Sequence, residues 1–307
     1  MSEKNTTENQ MRITIIGRFV RLHDEEYIAR SFEMLGHDVQ RITDKTDKEI
    51  IIRLVQRYNP NFVLCTKLLV TDGFELLNRI KSMGILTVSW NFDLYWGYYR
   101  EKMIKKVPGF AADLVFSTDG GHQKQWEEVG INHFCIRQGI YKPECYMEFQ
   151  NPTGVVFVGT ENVLNKDRQQ ILRQVQKNRL DFKWYGKNNP NDVRGKDLNT
   201  LYANTKVVIG DSFYSPYYWS NRIVETLGRG GFLIHRVVGG LKEEYPDLVT
   251  YEPNNIKDLL AKIEYFMSHE KERREIVKKN FEHVKNNYTM DKQCAILINK
   301  VNEVLSI

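Results

Sequence analysis

The sequence has no cysteine pair, no glycine-rich phosphate loop and no long apolar run, and each absence removes a class of protein. Its four cysteines, Cys65, Cys135, Cys145 and Cys294, form no CxxC pair. That argues against a structural zinc site or a disulfide framework and for a reducing, cytoplasmic location. Cys65 and Cys135 stand inside apolar runs and are expected to be buried thiols. No apolar stretch reaches the ~20 residues that span a bilayer, so no transmembrane segment is expected. The polar opening MSEKNTTENQ offers no signal core, and residues 1–10 are expected to be a disordered lead. RITIIG (12–17) is followed by RFVRLHD, and GVVFVG (154–159) by TENVLNK. Neither is the GxGxxG turn of a nicotinamide-binding unit. No GxxxxGK[ST] and no HExxH occur, which excludes a P-loop nucleotidase and a zinc hydrolase of that type. No metal is expected either. The nearest approach to a carboxylate pair is Asn91-Phe92-Asp93, where Asp93 is the only acid.

What is present is ample for a folded chain. Its 307 residues leave room for two domains, and 41% hydrophobic with 27% charged residues is a soluble, globular balance. The net charge of +5 comes from Lys and Arg spread along the chain. The run KERREIVKK (271–279) reads as one solvated helix face, so nucleic acid is permitted but not favoured. A pull on phosphates or peripheral contact with a membrane surface stays allowed. The 16 Tyr and 5 Trp combine flat apolar faces with polar edges, which suits clefts as well as cores.

From Met11 the pattern alternates. RITIIG reads as a strand, and HDEEYIARSFEMLG (23–36) as a helix with Ile28, Phe32 and Leu35 on one stripe. DVQRIT (38–43), NFVLC (61–65), ILTVSW (85–90), DLVFS (113–117) and HFCIR (133–137) read as further strands, with Asp72 and Glu75 as a capping pair for a helix over 73–83. A second series follows the linker. GVVFVG, DFKWYG (181–186), KVVIG (206–210), GFLIHRV (231–237) and LVTYE (248–252) read as strands, and helices are expected near 256–268, 270–287 and 289–305. Strand–helix–strand repeats imply parallel sheets with helices on both faces. The expected division is an N-terminal Rossmann-like domain over 11–145, a linker over 146–153, a C-terminal one over 154–288 and a terminal helix over 289–307. Ligands bind beyond the C-terminal strand ends of such sheets, and two sheets facing each other would make a cleft.

At this point the residues resemble a family. FEMLGHDV (32–39) looks like the first helix and second strand of GT-B glycosyltransferases. The order FVGTENVLNKDRQQIL, WYGK, LYANTKVVIGDS and YYWSNRIVETLGRGGFLIHRVVGGLKEEY is similar to the CgeB-like, or spore-protein-like, glycosyltransferase family. The resemblance covers nearly all of 150–300 and is architectural over 11–145. It implies a GT-B fold: two doubly wound parallel-sheet domains facing across a cleft, with a helical tail that crosses back to the first domain. It also implies a nucleotide-sugar donor, UDP-linked, held by the C-terminal domain as substrate, with no cofactor.

The segment WSNRIVETLGRGG (219–231) fits a donor site physically. A helix N-terminus favours a diphosphate, Ser220 and Asn221 are small and polar there, and Arg222 adds a charged fork. By resemblance Glu225 takes the ribose hydroxyls, which a carboxylate can accept in pairs. The same segment also reads as a plain amphipathic helix, with Ile223, Val224 and Leu227 inward and Arg222, Glu225 and Arg229 outward; Arg229 is expected to be a surface residue. Gly159 and Thr160 open beyond one strand, and Tyr185 and Lys187 end another, where Lys187 could meet phosphate. Val193 and Gly195 stand where related enzymes hold the base through the backbone. Arg168 matches a family position, with a structural ion pair as its expected role. FYSPYYW (213–219) either lines a pocket or packs as a rigid loop.

The acceptor is a glycan, protein or small molecule, and its base is sought on the first domain. Asp93 follows a strand among aromatics, His23 follows the first strand, and His122 in STDGGHQKQW is a weaker third choice. Two rival readings share the fold: a non-catalytic nucleotide-sugar or glycan binder of a spore-coat or surface assembly, and a glycosyltransferase acting on modified DNA bases.

Overall fold

A computed structural model describes residues 10–66, 68, 72–160, 166–186 and 193–305. Lys187 and most of the turn after GVVFVG therefore lie outside the described residues, as does the lead over 1–9.

The chain forms two compact units, residues 1–137 with 290–307, and residues 138–289. In the first, the elements run β1 (Arg12–Gly17), α1 (Asp24–Met34), β2 (Asp38–Thr43), α2 (Lys48–Tyr58), β3 (Phe62–Cys65), α3 (Gly73–Ser82), β4 (Leu86–Asn91), β5 (Leu114–Ser117), α4 (Gln123–Glu128) and β6 (His133–Cys135). All six strands pair in parallel, in the order β2-β1-β3-β4-β5-β6. The second unit runs β7 (Thr153–Val158), α5 (Lys166–Asn178), β8 (Phe182–Tyr185), α6 (Gly195–Ala203), β9 (Thr205–Gly210), α7 (Arg222–Leu227), β10 (Leu233–Arg236), α8 (Leu241–Glu244), β11 (Val249–Tyr251), α9 (Ile256–Ser268) and α10 (Glu270–Asn287). Its five strands are again parallel, in the order β11-β10-β9-β7-β8. The last helix, α11 (Met290–Leu305), belongs to the first unit.

The apolar runs make these strands because a strand covered by helices on both faces must be apolar on both. Ile13, Ile15 and Ile16 of β1 are all fully buried. One face of the first sheet packs Ile13, Phe62, Val88 and Phe116 against Ile28 and Phe32 of α1 and Cys294, Leu297 and Val301 of α11. Each such buried aliphatic or aromatic side chain contributes about 1.5–3 kcal/mol of transfer free energy.

The expected linker over 146–153 does not coincide with the division between units, which falls after Arg137. Residues 138–146 are tied to the second unit. The Ile140 N–H donates to the Tyr288 carbonyl at 2.9 Å and the Tyr146 N–H to that of Gly228 at 3.0 Å. Three smaller expectations need correction. Cys135 is exposed, because β6 is a three-residue edge strand. Asp72 does not cap α3; its backbone is left-handed, and Lys48 draws in both Asp72 and Glu75 instead. Within the basic run of α10, Arg273 turns inward and is 3% exposed.

Candidate functional site

A doubly wound sheet leaves a crevice where successive strands run off in opposite directions. In the second unit the chain passes from β7 outward to β8 and returns on the other side to β9, so the switch point lies between the C-terminal ends of β7 and β9. Arg222 occupies it. Its Nε donates to the Val158 carbonyl at the end of β7 at 2.8 Å, and one Nη to the Asp211 carbonyl just after β9 at 2.7 Å. The same Nη reaches Ser220 Oγ at 3.3 Å. The guanidinium lies 4.6 Å from the centre of the Phe157 ring, whose π face attracts a cation. No described carboxylate pairs with it. Burial, and then the neighbouring Arg168, lower its pKa to about 10.

Other cations stand nearby. Arg168 bonds Asp211 at 2.8 Å, both side chains under a tenth exposed, so it does form the expected ion pair. Arg236, at the end of β10, reaches the same Asp211 at 3.7 Å and the half-exposed Asp167 at 3.6 Å. The result is a cluster of guanidinium groups at the C-terminal edge of the sheet.

The two glycines at strand ends have a steric reason. A Cβ on Gly159 would collide with the Arg222 guanidinium, and one on Gly186 would collide with the Gly159 carbonyl. The turns after β7 and β8 thus pack backbone on backbone, and Trp184 Nε1 seals them by donating to the Gly159 carbonyl at 2.9 Å. Thr160 is exposed beyond this turn.

Helix α7 is shorter than the sequence pattern suggested, six residues from Arg222. Asn221 precedes it in helical backbone geometry and makes no side-chain cap, and the Ser220 N–H is taken by Ser212 Oγ at 3.0 Å. Ser212 Oγ also meets His235 Nε2 at 3.2 Å, while His235 Nδ1 donates to the Arg236 carbonyl at 2.6 Å. Burial holds His235 neutral, with its pKa lowered to about 4.

Glu225 follows Arg222 by three positions on α7, with its carboxylate 2.6 Å from Arg229. Arg229 is not the surface residue expected. Its side chain is 2% exposed and pairs with both Glu225 and Glu144. It is buried because residues 138–146 fold over this helix and bring Glu144 to it. Burial pushes the Glu225 carboxyl above its ordinary value; Glu144 adds to the rise, and Arg229 and Arg194 oppose it. Tyr185 and Val193 pack against the apolar cluster that holds Ile223 and Val224 of α7, and Gly195 opens α6 beside them. The structure thus gathers Gly159, Tyr185, Val193, Ser220, Arg222 and Glu225 around one strand edge. In the aromatic loop before α7, Tyr218 and Trp219 are buried, whereas Tyr214 is exposed.

In the first unit, the sequence candidates again sit at C-terminal strand ends. His23 is the residue before α1, after β1. Asp93 follows β4, and its carboxylate is held by Arg100 at 2.9 Å. His122 follows β5 and is bonded to Asp119, a pairing the sequence reading missed, although the spacing Asp-x-x-His in a turn is its signal.

Comparison with solved structures decides the architecture. Over 97% of this chain and 99% of theirs, the coordinates superpose on a glycosyltransferase from Rickettsia africae ESF-5, with TM-score 0.68 and 13% identity. The fold is GT-B. A sucrose-phosphate synthase from Thermosynechococcus elongatus shares this GT-B architecture over 97% of this chain and 100% of its own (TM-score 0.67, 12% identity). So does Anabaena HepE, solved in complex with UDP and glucose, over 97% and 100% (TM-score 0.64, 14% identity). Residues 168–299 match the family model described as glycosyl transferase-like, so most of the second GT-B unit is glycosyl transferase-like in sequence as well. No curated protein matches the chain in sequence.

Proposed function

We propose that this chain is a glycosyltransferase whose second unit holds a nucleotide-sugar donor and whose first unit presents an acceptor hydroxyl. One observation carries the reading: Arg222, a cation in the crevice between β7 and β9, bonded to two carbonyls and a hydroxyl and to no described carboxylate. A partly buried guanidinium with no described acid bonded to it is a site for an anion, and the diphosphate of a nucleotide sugar supplies one. As the sugar leaves, charge builds on that diphosphate, and a fixed fork stabilises it at no cost in reorganisation. Lys187, Gly159 and Thr160 are proposed as its neighbours. Glu225, with one side on Arg229, stands as the ribose acceptor, and Tyr185, Val193 and Gly195 border the base. The glycosyl transferase-like match over 168–299 supports this assignment of units.

HepE, with its UDP and glucose, favours a UDP-linked donor. The reading requires no metal and no cofactor. The motif order of the second unit favours the CgeB-like branch. Among the described residues no helix is long and apolar enough to cross a membrane and no disulfide forms, and we place the protein in the cytoplasm.

The test is a thermal-shift series with UDP-, GDP-, dTDP- and CMP-linked sugars. One of them should raise Tm by about 5 °C or more at a hundredfold excess over its Kd. Glu225→Gln should weaken that donor about tenfold to a hundredfold. If none of the four classes shifts the protein, the donor site is refuted. Donor binding without transfer to any acceptor would instead favour the non-catalytic binder.

A further inference from the structure

The turn after β5 contains a carboxylate that the fold buries and then turns toward a single imidazole. Asp119 is 0% exposed. Its backbone N–H donates to Ser117 Oγ at 3.1 Å, and its Oδ1 accepts from the Gly121 N–H at 3.1 Å. Ser117 Oγ is fixed in turn by His133 Nε2 at 2.7 Å, and His133 Nδ1 by Gln123 Oε1 at 2.8 Å. The turn is therefore held from below by a closed network. Both Asp119 oxygens meet His122 Nδ1, at 2.9 and 3.0 Å. No lysine or arginine among the described residues reaches this carboxylate.

A buried acid whose one ionisable partner is an imidazole fixes that ring's tautomer and orientation. With Nδ1 donating to Asp119, the neutral ring carries its lone pair on Nε2. No described residue hydrogen-bonds Nε2, and the His122 side chain keeps 15% exposure. It faces the aromatic loop after β4, since a Cβ built on Gly97 would lie 3.9 Å from Nε2. Asp93 on that loop is occupied by Arg100.

We propose that His122 is the catalytic base of the transfer and Asp119 its positioning residue, an assignment that rests on the glycosyltransferase reading. His122 Nε2 takes the proton from the acceptor hydroxyl. The acceptor oxygen forms its bond to the anomeric carbon as the bond from that carbon to the diphosphate oxygen breaks, and the nucleoside diphosphate leaves with the electron pair. Asp119 balances the positive charge that appears on the ring.

The experiment measures nucleoside diphosphate release from the stabilising sugar nucleotide, with water and a panel of sugars as acceptors. His122→Ala should lower turnover about a hundredfold or more while the donor-induced Tm shift is unchanged. Millimolar imidazole should restore part of the rate in His122→Ala and none in Asp93→Ala. Asp119→Asn, which keeps shape but not charge, should also lower turnover without weakening the donor. As a readout on folded wild type, diethyl pyrocarbonate should modify His122 and abolish turnover in proportion. Turnover in His122→Ala within threefold of wild type overturns the proposal alone. A loss that imidazole does not rescue, with an altered donor shift, makes His122 structural and also overturns it. Wild type that turns over no donor at all refutes the transfer reading, and this assignment with it.

Discussion

At the scale of single residues, charge placement separates structure from function. Arg229 and Arg222 stand seven positions apart on one short segment, yet one is saturated with acids and the other has none described. Removing Arg229 leaves the partly buried Glu144 and Glu225 near each other without their shared cation. Arg229→Met should therefore cost about 3–5 kcal/mol, read as a lower urea midpoint. Adding Glu144→Gln to it should recover part of that loss. Arg222→Gln should behave in the opposite way. It removes a cation that burial already destabilises, so it should leave the urea midpoint nearly unchanged while lowering the donor-induced Tm shift. If Arg222→Gln unfolds the protein and Arg229→Met does not, the roles assigned to the two arginines are reversed.

At the scale of elements, the strand ends matter more than the strands. The turns after β7 and β8 touch through the Gly159 carbonyl and Gly186, so Gly186→Ala must push two backbones apart. That overpacking should cost about 1–3 kcal/mol and should also weaken the donor, because Gly159 backs the Arg222 guanidinium. Donor affinity unchanged in a folded Gly186→Ala protein would argue against that coupling. The strands themselves were legible in the sequence: RITIIG became β1, and the apolar cores of NFVLC, GVVFVG and KVVIG became β3, β7 and β9. Strongly apolar, β-branched runs have few other ways to bury themselves. What was not legible depended on partners far along the chain. Arg229 looked exposed because nothing in its own helix predicts Glu144, 85 residues earlier. Cys135 looked buried because an edge strand reads like a central one. The Asp119–His122 pair was visible as a spacing, but only the burial of Asp119 gives it meaning.

At the scale of the whole molecule, two buried histidines make stability sensitive to acid. Burial lowers His133 and His235 each to about 4, whereas both titrate near 6.5 in the unfolded chain. The sign follows from proton uptake. Above pH 6.5 neither state binds the extra proton; below it the unfolded state does, and the folded state does not until about pH 4. Stability should thus be full above pH 6.5 and fall toward pH 4, by about 3 kcal/mol for each histidine. Urea midpoints measured across that window check it, and replacing His133 with Gln should flatten the slope by half. A flat profile would mean that these rings are not held neutral.

The position of α11 has a consequence for how the protein is made. The first unit opens the chain, yet its core includes Met290, Cys294, Leu297 and Val301. During synthesis, β1 to β6 emerge early and must wait, with the α11 face of their sheet uncovered, for residues 290–305. The second unit, continuous over 138–289, has every part it needs before them. Chain continuity thus favours completion of the second unit first. A released chain truncated after residue 289 should carry a protease-resistant second unit joined to a first unit that is still cut.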